Sequence, residues 1–123
     1  MRVEQLEKIK KTITTIKDIN YTIDYYNNNV FNGYSITGLN MKDFKTLYVV
    51  KLIDEINSNA VSYDYNEYLE IVDVSINIDD DSSENTLKII LDFLKKVKSI
   101  FNTNNMNYLE YKKVLDYFFN RIS

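Results

Sequence analysis

From Val72 to Asp79 the chain alternates without a fault, with Val72, Val74, Ile76 and Ile78 set against Asp73, Ser75, Asn77 and Asp79. Successive side chains of a β-strand point to opposite faces, so this octet reads as a strand with one face in a core and one in water. A helix would scatter the same aliphatic residues around its circumference. The fold must then contain a sheet covered on one side only, which is the habit of antiparallel sheets. The run is dense in β-branched residues from Leu69 onward, and residues 69 to 78 are expected to form the best-ordered strand.

Partners for this strand lie nearby. Val61, Tyr63 and Tyr65 alternate with Ser62 and Asp64, and a turn at Asn66-Glu67 joins the two runs into a hairpin. An earlier hairpin starts at Ile19, where Ile19, Tyr21, Ile23 and Tyr25 alternate with Asn20, Thr22 and Asp24. It turns at Asn27-Asn28-Asn29, because Asn tolerates left-handed backbone, and returns from Phe31 to Thr37 with Tyr34 and Ile36 on one face. Asn20 and Ile23 also continue a heptad begun upstream, but three heptads are too few for a coiled coil.

The remaining segments have helical period. Residues 3 to 18 place Val3, Leu6, Ile9, Ile13 and Ile16 at steps of three and four, between Glu4, Glu7, Lys8, Lys10, Lys11 and Lys17. A second helix, capped by Asn40 with Asp43 in its first turn, would bury Met41, Phe44, Leu47, Tyr48, Leu52 and Ile56 and stop at Asn57-Ser58-Asn59. A third follows the run Asp79 to Glu84 and carries Leu87, Ile90, Leu91, Leu94, Val97 and Phe101. Lys95, Lys96 and Lys98 sit near its C-terminal end, where the helix dipole favours cations. After a loop at 102 to 107, Asn107 and Glu110 resemble a capping box for a last helix bearing Leu109, Val114, Leu115, Phe118 and Ile122. The expectation is a single α+β domain over residues 1 to 123, in the order α-β-β-α-β-β-α-α, with an antiparallel sheet packed by helices.

Composition restricts the chemistry. Cys, His, Trp and Pro are all absent, which removes disulfides, thiolate metal sites, the commonest general base and the most reactive nucleophile. Two glycines, Gly33 and Gly38, cannot build a phosphate-cradling loop. Apolar runs are far shorter than a membrane span, and Met1 to Gln5 leads into charge, so a cytoplasmic, soluble protein is expected. Asn, Ile, Lys and Tyr are abundant and Ala60 is the single alanine, a bias of AT-rich codons that fits either an AT-rich genome or a phage, plasmid, virus or other mobile element.

Charge is the sharpest functional signal. Between Lys51 and Lys88 lie ten carboxylates (Asp54, Glu55, Asp64, Glu67, Glu70, Asp73, Asp79, Asp80, Asp81 and Glu84) and no Lys or Arg, while the whole chain has a net charge of -3. A one-signed field steers a cationic partner toward it. Asp79, Asp81, Ser83 and Asn85 match alternate positions of an EF-hand loop, but Glu84 stands where Gly is needed and Ile90 where Glu is needed. A strand end followed by a helix cap accounts for Asp79, Asp80 and Asp81 without a metal, and no cofactor is expected. Seven Lys on the first and third helices read as a solvated face, with Arg2 and Arg121 too few for nucleic-acid readout.

Tyrosine is enriched at binding hot spots, and Tyr63, Tyr65 and Tyr68 fall inside the acidic stretch. The expected function is a non-enzymatic interaction or inhibitor module that meets a basic surface on a partner protein, with no nucleic acid and no membrane as partner. Asp64, Glu67, Asp73 and Asp79 would carry the charge and Tyr63, Tyr65 or Tyr68 the anchor. A secreted nuclease toxin, or a nucleic-acid-binding host or defence factor, would present such a surface, because sites that hold phosphate are cationic. The alternative is an assembly subunit forming a homo-oligomer through its helices; a carboxylate and metal enzyme ranks third.

Overall fold

Among the described residues four helices and four strands follow one another in the expected order: α1 (Arg2–Thr14), β1 (Asn20–Tyr26), β2 (Val30–Asn40), α2 (Phe44–Ile56), β3 (Val61–Asn66), β4 (Ile71–Asn77), α3 (Glu84–Thr103) and α4 (Tyr108–Ile122). The computed structural model describes residues 2–26, 30–79, 81–103 and 106–122, and only the backbone of residues 26, 30 and 120–122. The Asn27 to Asn29 turn, Asp80 and the side chain of Ile122 lie outside the described residues. The strands form one antiparallel sheet in the order β1-β2-β4-β3. The protein is an α+β domain whose sheet packs against helices on one face.

That face is a row-by-row core. Ile36 lies opposite Val74, which lies opposite Tyr63; Tyr34 lies opposite Ile76, which lies opposite Val61. Val72, Val74, Ile76 and Ile78 are all buried, as the alternation requires. They pack with Ile9 and Ile13 of α1, Val49 and Ile53 of α2, and Leu87, Ile90, Phe93, Leu94 and Val97 of α3. α1 and α3 run side by side in the same direction and are clamped at both ends. Arg2 donates to the carbonyls of Asp79 and Ser82, and at the far end Asn102 accepts from the Lys17 amide at 2.8 Å and donates to the Thr15 carbonyl.

Several boundaries differ from the sequence expectation for physical reasons. α1 ends at Thr14 instead of 18, with Thr12, Thr14 and Thr15 hydroxyls bonding to carbonyls of its last turn and Asp18 turning the chain in left-handed backbone. Asp43, not Asn40, caps α2: its carboxylate accepts from the Lys45 amide, while Asn40 performs the same chemistry one turn earlier on Lys42. The buried stripe of α2 is accordingly Thr46, Val49, Val50, Leu52 and Ile53, with Phe44 and Tyr48 on a flank. Leu69 and Glu70 belong to the turn, where Asn66 accepts from the Leu69 amide and Glu70 takes left-handed backbone. The strand therefore begins at Ile71, two residues later than expected. In α4, Asn107 caps as expected, but Leu109 points away from the core while Val114 is buried.

The two glycines have different tasks. Gly33 sits at φ 137° where a Cβ would fall 1.9 Å from the Ile76 carbonyl oxygen, so close strand approach demands it. Gly38, at φ 72°, lies in an irregularity of β2 between Ile36 and Leu39 that lets the strand run past Thr37 to Asn40.

Candidate functional site

The uncovered face of the sheet is built by the other half of each alternation. Thr22 lies opposite Ser35, Ser35 opposite Ser75, and Ser75 opposite Ser62, so a row of four hydroxyl side chains crosses all four strands. Neighbouring strands are about 4.8 Å apart, which spaces that row evenly. Asp64 lies directly opposite Asp73, and Asp24 lies opposite Gly33, itself opposite Asn77. Apart from Ile71, the described side chains of this face are small and polar, and no strand contains a Lys or Arg. The result is an acidic face of carboxylates, hydroxyls and amides.

Its carboxylates are not equivalent. Asp73 accepts from the Gly38 amide at 2.8 Å and so holds the β2 irregularity in place. Asp24 accepts from the Ser35 hydroxyl at 2.6 Å and from the Thr22 hydroxyl. Asp64 is exposed and has no side-chain partner among the described residues.

The seven residues singled out by sequence do not form one surface. Asp64 and Asp73 come together on the uncovered face. Tyr63 and Tyr65 alternate to the helix side, where the Tyr63 hydroxyl donates to Asp54 at 3.0 Å and Tyr65 is half exposed at the sheet edge. Glu67 and Tyr68 stand in the β3-β4 turn, with Tyr68 95% exposed. Asp79 lies beyond the opposite end of β4, and a seven-residue strand holds the two ends roughly 20 Å apart. Sequence reasoning missed Asp24. Its alternation with Tyr21, Ile23 and Tyr25 put it on a polar face, but nothing local says that β2 brings that face beside β4.

Asp79 holds the turn that leads into α3. Its carboxylate accepts from the Asp81 amide and the Ser82 hydroxyl, and Ser83 accepts from the Thr86 amide to start α3. Between this loop and the α2-β3 connection is a polar cleft of about 430 Å³, lined by Ser58, Asn59, Asn77, Asp79, Asp81 and Thr86. Among the described residues no three His, Cys, Asp or Glu side chains converge as a metal site requires. Two further acids of the stretch face lysines from its borders: Glu55 pairs with Lys51 at 2.6 Å and Glu70 with Lys42 at 3.2 Å. Among the described residues no helix is long and apolar enough to cross a membrane. Comparison with protein-family models, curated proteins and solved structures finds no match.

Proposed function

We propose that this chain is a protein-interaction module that applies the uncovered face of its sheet to a basic surface on another protein. The observation that carries the reading is the confinement of every Lys and Arg to segments outside the strands, while Asp24, Asp64 and Asp73 share one strand face. Small side chains keep that face flat, so a partner's lysines and arginines reach several carboxylates at once. Surfaces that hold nucleic-acid phosphates have the complementary sign. A nuclease toxin, neutralised by covering the cationic surface that holds its phosphates, is the partner class that fits best, and a nucleic-acid-binding host or defence factor is the second.

The test is kinetic. Proteins recovered on the chain from its native host are purified, and association is followed over a range of ionic strength. Asp64→Lys with Asp24→Lys should slow association by about tenfold or more and flatten its salt dependence. Asp73 is left intact because it holds the Gly38 irregularity. Unchanged kinetics at low salt would move the site elsewhere. One observation favours the assembly reading instead: Tyr108, Leu109 and Phe119 of α4 are largely exposed. Self-association abolished by Phe119→Lys, with the charge reversals silent, would select it.

A further inference from the structure

Ile23 and Tyr25 lie on the helix side of the sheet, yet they are 42% and 56% exposed. The reason is that β1 is a terminal strand and α1 leaves a groove of about 260 Å³ beside it, lined by Leu6, Ile9, Ile23, Tyr25, Phe31 and Tyr34. Terminal strands usually carry a Lys, a Pro or a covering element that blocks further pairing. β1 has no Lys and no Pro. The other terminal strand, β3, also lacks Lys and Pro, but α2 packs against it.

We propose that two copies of the chain pair through β1, antiparallel about a two-fold axis at Ile23, merging their sheets into one of eight strands. The sequence of β1 fits that operation. Ile23 meets Ile23 of the second copy, Tyr21 meets Tyr25, and Thr22 meets Asp24, which sets aliphatic on aliphatic, aromatic on aromatic and hydroxyl on carboxylate. An axis at Asp24 would oppose two carboxylates, so the axis at Ile23 is favoured. Above the sheet, Glu7 and Lys10 rim the groove. The two-fold brings the two groove rims toward each other, and each rim offers the other one carboxylate, Glu7, and one ammonium, Lys10. Ile23 and Tyr25 of both copies then share one continuous apolar groove. This pairing does not depend on the function proposed above; it leaves the acidic face open and extends it across both copies.

The chain has no cysteine, so Ile23→Cys introduces its single thiol. The expected result is rapid oxidation of I23C to a disulfide-linked dimer, while Tyr108→Cys on α4 oxidises slowly. Sedimentation equilibrium of the native chain should show a monomer-dimer transition with concentration, abolished in Ile23→Lys with unchanged far-ultraviolet circular dichroism. The proposal is overturned if the native chain stays monomeric at all concentrations, as it would if a strand from a different protein occupied this edge. It is overturned equally if I23C oxidises no faster than Y108C, or if the dimer survives in a folded I23K, which would place the contact on α4. Should I23K not fold, the relative oxidation rates decide.

Discussion

Asp54 shows how much one side chain can change meaning between sequence and structure. Counted as part of an acidic field, it is instead half-buried and engaged: it accepts from the Tyr63 hydroxyl at 3.0 Å and from the Tyr117 hydroxyl, tying α2 to β3 on one side and to α4 on the other. Hydrogen bonds to a charged acceptor contribute about 1.5 to 3 kcal/mol each when partly buried, less for exposed geometry. Asp54→Ala should therefore cost about 2 kcal/mol in urea unfolding, with Tyr117→Phe costing less; a change of a few tenths would show that water replaces the carboxylate. Two other tyrosines govern alkaline behaviour. Burial raises the pKa of Tyr34 above 10.0, helped by Tyr21, Tyr25 and Glu7, and burial raises that of Tyr48, helped by Glu110 and Glu55. The folded state then binds more protons than the unfolded state above pH 10, so stability is fully present below that pH and falls as pH rises through the folded values. Unfolding free energy measured across this alkaline range should drop less steeply in Tyr34→Phe with Tyr48→Phe. An identical slope would mean that the two phenols titrate alike in both states.

At the scale of elements, α3 and α4 differ in how firmly they are held. α3 buries Leu87, Ile90, Leu91, Phe93, Leu94, Val97, Ile100 and Phe101, whereas among the described side chains of α4 only Val114 is fully buried. α4 otherwise leans on α2 through the stack of Tyr111 on Phe44, with ring centroids 4.1 Å apart, and through Tyr117. Local opening follows the density of buried apolar contacts, so amide exchange should be faster throughout α4 than in the centre of α3. Leu91→Ala should cost roughly 2 to 4 kcal/mol. Equal protection of the two helices would show that α4 opens only with the whole domain. The same contrast explains what could be read in advance. The α3 stripe and the β4 alternation were legible because each element faces one core, and one period describes it. Leu109 was expected inward and is exposed, because the periodicity of α4 reveals that a stripe exists and not which flank α2 will cover. Asp64 and Asp73 could be placed on one face because their hairpin is local. Asp24 could not, because the adjacency of β2 and β4 comes from a crossover through α2 that no short-range spacing records.

Across the whole molecule, the acidic field is smaller and better placed than the sequence count implies. Asp54 is half-buried between two tyrosine hydroxyls, Asp79 holds a turn, and Glu55 and Glu70 face Lys51 and Lys42. What remains on the uncovered sheet face is Asp24, Asp64 and Asp73, and the last two are cross-strand neighbours. Like charges directly opposite destabilise a sheet by roughly 0.2 to 1 kcal/mol. Asp73 offsets that cost by bonding the Gly38 amide. Asp64 has no such partner among the described residues, so nothing on the face offsets the repulsion it meets. Asp64→Asn should accordingly stabilise the protein by a few tenths to about 1 kcal/mol at low ionic strength, and the gain should shrink as salt shortens the range of the repulsion. Denaturant unfolding of both forms at low and high salt measures this directly. Under the proposed function the same carboxylate would speed association with a cationic partner, so Asp64→Asn should also bind that partner more slowly. If Asp64→Asn proves neutral or destabilising at low salt, the repulsion is already relaxed by solvent, and the case for a functional acidic face must rest on Asp24 and the kinetics alone.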